Sequence, residues 1–222
     1  MPSEYLQDLK IVAACAAAAI LIARAYRFQG AAALGVAVAA LAVIAIQLDR
    51  GGLHEIGLSG PPDFKALWPL IAGGLVACYL IAGVTSYGLA QIGLAPDVSR
   101  LDFIKGNLPA LLLMLAVSWT TAAFGEEIVF RGFLLNRAAG LDVGITDWVL
   151  MVIVAQAVFF GLAHAYQGLG GIIVTGVLGL ALGVLTFLGQ GNLWPAILVH
   201  GLINTASLTA LFFSTPSRSI EV

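Results

Sequence analysis

Apolar runs long enough to cross a bilayer follow one another along almost the whole chain, at about 9–27, 30–48, 66–93, 108–136, 147–164, 168–188 and 193–213. In lipid only helices and closed barrels satisfy every backbone amide, and these runs are too long and too evenly apolar for the alternating strands of a barrel. The expected fold is therefore all-α, a polytopic transmembrane bundle of about seven helices. The range is six to eight, because Lys10 and Arg24 bracket only 13 uncharged residues in the first run. That run is free to tilt or to lie in the interface.

The polar gaps between runs are short, so residues 1–222 read as one integral membrane domain. Charged residues make up 10% of the chain and hydrophobic ones 60%, with a mean hydropathy of +1.01; soluble domains carry about 25% charge. A net charge of -2 without a basic block argues against nucleic acid and against a polybasic lipid-binding segment. The surrounding partner is the bilayer itself, and no oligomeric state follows from the sequence. Lys and Arg outside the spans divide almost evenly between the two sides, so orientation stays open.

Smaller features read plainly. Cys15 and Cys78 lie inside apolar runs, as small core residues do. The string VAAC at 12–15 resembles a lipoprotein cleavage site, but the polar, acidic stretch before it does not suit a signal peptide. The longest loop, LDRGGLHEIGLSGPPDFKALWP, breaks helix with Gly and Pro, and His54 within it reads as solvated. The stretch APDVSRLDFIKGN at 95–107 suits a short interfacial helix capped near Ser99. Gly176, Gly179 and Gly183, spaced by three and four, suit a close helix contact.

Against this background the run LPALLLMLAVSWTTAA continues into FGEEIVFRGFLL, placing Glu126, Glu127 and Arg131 where charge is expensive. An ionisable group at a helix centre costs roughly 2.5–3.5 kcal/mol on insertion scales, so each needs a partner or a task. Other polar residues fall on later helices: His164 in FFGLAHAYQG, His200 and Asn204 in WPAILVHGLINTASL, and more weakly Gln156 and Gln190. On an α-helix Arg131 lies about 40° around the axis from Glu127 and about 140° from Glu126. Arg131 should pair with Glu127 and leave Glu126 free.

A carboxylate withdrawn from water gains proton affinity, which suits a base that deprotonates water. Glu126 is the candidate base, and His164 is a second acid/base group able to orient that water or protonate a leaving amine. His200 and Asn204 are four apart on one helix face, able to donate to a single oxygen in the manner of an oxyanion hole. Together these are the parts for hydrolysing an acyl bond with activated water and no covalent nucleophile. Taken singly, the ion pair would stabilise a helix and the His and Asn residues would be interhelical glue. Taken together, on three helices otherwise built of Leu, Ala, Val and Gly, they point to one site. Zinc is the competing reading, but the chain lacks HExxH and no two His share a helix at ligand spacing. A site without metal or other cofactor is preferred, with zinc kept as the alternative.

Three motifs stand in order: EEIVFR fits EExxxR, FGLAH fits FxxxH and HGLIN fits HxxxN. The chain resembles the CPBP family of intramembrane proteases (CAAX protease and bacteriocin-processing, including the Abi and Ras-converting CAAX endopeptidase types), over about 108–214. LHEIGLSG is similar to a short segment that precedes the core in bacterial members. The resemblance implies a site in a membrane cavity and a glutamate protease acting on a membrane-proximal peptide or protein tail; the compact, Ala- and Gly-rich composition points to a bacterial inner membrane. It implies that Glu126 activates water with His164, that Glu127 and Arg131 support them, and that His200 and Asn204 hold the oxyanion. The alternatives are a non-catalytic immunity or scaffold protein of the same family and, from a different class, a transporter with a carboxylate relay. No matching halves with broken helices are present to favour the transporter.

Overall fold

A computed structural model of the chain describes residues 54, 56–58, 63–140 and 147–214, and among them every regular element is helical, with no strand. The first two expected runs, with Cys15, lie outside the described residues. The other five appear where hydropathy places them. Helix α1 is Phe64–Gln91 and α2 is Leu108–Leu135, extended by a final α-helical turn at Asn136–Ala139. Then come α3, Trp148–Ala163, α4, Gly168–Leu188, and α5, Trp194–Phe213.

Four of these helices are long and apolar enough to cross a membrane, α4 together with the short turn Ala165–Gln167 that leads into it. Helix α3 has 16 residues, about 24 Å at 1.5 Å per residue, which is shorter than a hydrocarbon core of about 30 Å. Its last residue is Ala163. That end is where His164 sits.

Local chemistry sets the helix starts. The Asp63 carboxylate accepts from the amides of Lys65 and Ala66 at the head of α1, and the Asn107 side chain accepts from Ala110 N at the head of α2, with Pro109 in its first turn. Asn192 does the same for Trp194 N before α5. Each satisfies backbone donors left open by a helix N-terminus. The expected interfacial helix is a 3-10 turn, Ser99–Ile104. Near its start, as expected around Ser99, the Asp97 carboxylate accepts from Ser99 N; hydrogen bonds from the Ser99 side chain and backbone hold the Asp97 carboxyl below the usual carboxylate range.

Helices α3 and α4 form a tight hairpin. A Cβ at Gly161 would come 2.5 Å from Ile172 O, one at Gly179 3.0 Å from the Phe160 ring, and one at Gly183 2.5 Å from Gln156 Nε2. The Gly-rich run is thus a close helix contact as expected, and Gly161 completes it from the other side. Helix α1 packs on α4 and α5 through Ile71, Cys78, Leu182, Leu185 and Val199, which makes Cys78 a core residue. Its opposite side presents Trp68, Val84 and Tyr87, 64%, 72% and 70% exposed. So large an apolar face directed outward is what a lipid-facing helix requires.

The long loop is less solvated than its composition suggests. His54 is exposed, but Ile56 is fully buried in a cluster with Phe133 of α2 and Leu193 and Ile197 at the start of α5. Gly57, at φ +88°, accepts a hydrogen bond from Leu193 N and lies so close to Gly191 O that no Cβ fits. Asn136 Nδ2 donates to Gly191 O, 2.9 Å away. The segment straps the α4–α5 turn against the end of α2.

Candidate active site

The first departure from simple expectation is in α2 itself. It is α-helical to Val117, then π-helical over Ser118–Glu126 and again over Ile128–Leu135. The Thr120 hydroxyl donates to Ala116 O and Val117 O, and the Thr121 hydroxyl to Val117 O. Such back-bonding competes for the carbonyls the next turn would use, so it favours the wider i→i+5 pattern. In the wider helix residues four and five apart both flank the same vertical line. Arg131 still meets Glu127, and Glu126 is turned less far from Arg131 than an α-helix would place it.

Glu127 and Arg131 are both fully buried. Arg131 Nη1 donates to Glu127 Oε1 at 2.8 Å, which is the pair expected from spacing. The same oxygen accepts from His200 Nδ1 of α5 at 2.7 Å, so one carboxylate joins two helices. Arg131 Nη2 donates to Gly179 O of α4 at 3.1 Å, and its Cζ lies 4.3 Å from the centre of the Phe160 ring of α3. Three helices meet at one guanidinium, and α5 joins them through Glu127. Moving these ions out of water costs several kcal/mol each, offset only because the charges are paired, hydrogen-bonded and stacked.

Phe160 is the ring around which the rest is ordered. It stacks obliquely on His164, centroids 4.9 Å apart, and meets His200 edge-on at 6.0 Å. Thus the two histidines flank one aromatic plate. His164 Nδ1 lies 2.9 Å from Phe160 O. A carbonyl only accepts, so Nδ1 carries the proton and, in the neutral ring, Nε2 presents a lone pair. By the same logic His200 Nδ1–H donates to the Glu127 carboxylate, and His200 Nε2 donates only when the ring is an imidazolium.

Glu126 is 8% exposed. Its Oε2 is buried without a hydrogen-bond partner, and among the described residues it forms no ion pair. It is the free carboxylate that helical angles anticipated. The half-buried Asn204 lies on α5 one turn beyond His200. The structure brings Glu127, Arg131, His200 and His164 into one constellation around Phe160; it forms no direct hydrogen bond from Glu126 to His164, nor from Asn204 to His200. Two contributors carry no assigned role in the sequence: Phe160, which stands there only as the first residue of the FxxxH motif, and the Gly179 carbonyl, because a glycine picked out for packing gives no sign that its oxygen accepts. Trp119 is a third contact of this region. Its indole donates to the Thr205 hydroxyl at 3.1 Å and lies over Gly201, where a Cβ would be 2.5 Å from the ring.

Among the described residues no three His, Cys, Asp or Glu side chains are grouped so as to hold a metal ion. Glu127, the central carboxylate, already spends its inner oxygen on Arg131 and His200.

Residues 108–206 match the family model of the Rce1-like type II CAAX prenyl endopeptidases. No curated protein and no solved structure matches. Residues 108–206, which hold every one of these polar side chains, are thus similar to the Rce1-like CAAX endopeptidases, consistent with the CPBP/CAAX protease resemblance of the three motifs.

Proposed function

We propose that the protein is an intramembrane endopeptidase that hydrolyses a peptide bond in a membrane-proximal peptide or protein tail, using water activated by Glu126. One observation carries this reading: two adjacent buried glutamates each leave Oε2 without a partner, but Glu127 is held through Oε1 by Arg131 and His200, while Glu126 makes no hydrogen bond or ion pair among the described residues. A carboxylate kept unpaired in a costly place has a substrate-side task.

The chemistry balances on residues of this chain. Glu126 accepts a proton from water as its oxygen attacks the acyl carbon, and His164 Nε2, fixed as an acceptor by the Nδ1 bond to Phe160 O, orients the second water hydrogen. The oxyanion is held by Asn204 Nδ2–H and by Nε2–H of the His200 imidazolium, whose charge Glu127 supports. The tetrahedral intermediate collapses with cleavage of the C–N bond, and the proton held by Glu126 passes to the leaving amine. The expected location is a bacterial cell membrane, with the site in a cavity of the bundle.

The test is cleavage of a membrane-anchored peptide library by the full chain in lipid nanodiscs, wild type beside Glu126→Gln. A general base contributes about 10²–10⁴-fold, so Glu126→Gln should lose activity by that factor while melting at the wild-type temperature. Wild-type rates from a folded Glu126→Gln protein would remove Glu126 from the role of base. A biological function that survives loss of both Glu126 and His164 would favour a non-catalytic member of the family.

A further inference from the structure

One buried polar side chain next to this site touches neither a carboxylate nor a histidine. Gln156 of α3 is 2% exposed and donates through Nε2 to Ile153 O on its own helix and to Gly179 O across the hairpin, at 3.0 and 2.9 Å. Gly179 O is also the acceptor for Arg131 Nη2. Two side chains from different helices thus converge on one carbonyl of a third. The seam is cut to admit them: Gly183 leaves the space that the Gln156 amide fills, and Gly179 leaves the space against Phe160.

The other half of the Gln156 amide is costly. Oε1 is buried without a partner, a desolvated acceptor that a leucine or methionine of similar size would not carry. Simple hairpin packing would be better served by either. The donor half must therefore do something an apolar residue cannot.

We infer that Gln156 is a positioning residue: by holding the Gly179 carbonyl it fixes Arg131, and through Arg131 it sets the one oxygen of Glu127 that binds His200. A guanidinium has five donors in a rigid fork and closes naturally on both oxygens of a carboxylate. In this site it does not, because Nη2 is drawn to Gly179 O and only Nη1 reaches Glu127. That leaves His200 room on Oε1 at 2.7 Å. With the Gly179 anchor weakened, Arg131 turns its fork onto Glu127, the bond to His200 lengthens, and Nε2 of His200 leaves its place.

Only the activity arm of the test rests on the peptidase reading. The full chain in nanodiscs, with 15N-labelled histidine, is compared as wild type and Gln156→Met. The short bond to Glu127 gives His200 a far-downfield Nδ1–H proton signal. Gln156→Met should move it upfield or abolish it, leaving the His164 Nδ1–H signal, set by Phe160 O, unchanged. Cleavage should fall on the order of tenfold in kcat, with KM within about twofold. A folded Gln156→Met protein with an unshifted His200 signal overturns the proposal, and equal movement of both histidine signals reduces Gln156 to packing. If Gln156→Met does not assemble, Gly183→Ala displaces the same amide from α4 and the same two signals decide. A wild type that cleaves nothing removes the peptidase reading but leaves the His200 comparison intact.

Discussion

Helices α4 and α5 each contribute to two unlike interiors. Toward α1 they offer Leu182, Leu185, Ala196, Val199 and Ile203, a layer of carbon against carbon. Toward α2 and α3 they offer Gly179 O and His200, which complete a network built on the Glu127 carboxylate and the Arg131 guanidinium. In lipid the first interior gains nothing from leaving water, so it is held by close packing, such as Leu185 and Val199 filling the space over Gly74. The second must recover large desolvation costs bond by bond. The bundle could be assembled from the first kind of contact throughout, so the second is accounted for by the proposed chemistry rather than by folding.

The largest expected effect separates the two interiors directly. Arg131→Met leaves Glu127 charged and buried without its cation, which should cost about 3–5 kcal/mol of stability, read as a loss of thermal melting temperature in detergent or nanodiscs. Arg131→Met combined with Glu127→Leu removes both charges and should recover most of that loss while remaining inactive. A double variant no more stable than the single one would show that the pair holds the fold as well as the site, and the contrast would fail.

Next is Gly179→Ala, at the seam between the interiors. Its methyl must displace Phe160, whose ring touches Arg131, His164 and His200. Overpacking of this kind costs about 1–3 kcal/mol, and here activity should fall by more than stability predicts. In the apolar interior, Leu182→Ala should cost about 1–3 kcal/mol, less than the ~2–5 of water-soluble cores, because the cavity term survives in lipid and the transfer term does not. Cleavage per folded molecule should be unchanged. A drop in kcat from Leu182→Ala at full folding would mean that the two interiors are coupled.

Apolar length located all five described helices, because lipid imposes the same constraint on each, and i,i+4 spacing foretold the Glu127–Arg131 pair. The separation of Glu126 from Glu127 was legible for the same reason. The π-helical stretches were not, since apolar periodicity does not register competition for carbonyls such as that of the Thr120 and Thr121 hydroxyls at the start of the first. His200 was read as a donor to substrate alone. Its other nitrogen belongs to Glu127, a partner 73 positions away that only packing brings near. Ile56 lay in a loop whose charges suggested water, yet its side chain plugs the core beside Leu193.

The smallest effect tests whether the polar character of α2 is uniformly functional. Trp119→Phe keeps an aromatic plate over Gly201 but loses the indole donor to Thr205. Interhelical hydrogen bonds in membranes average about 0.6 kcal/mol in double-mutant cycles, so Trp119→Phe should lower stability by about that much, and Thr205→Val should add little once Trp119 is replaced. The Trp119–Thr205 bond and the Glu127–His200 bond join the same two helices. If the first is glue and the second is machinery, Trp119→Phe shifts the melting temperature slightly and leaves kcat alone. A large loss of kcat with KM unchanged would instead extend the functional face of α5 from His200 to Thr205, placing Trp119 against the substrate.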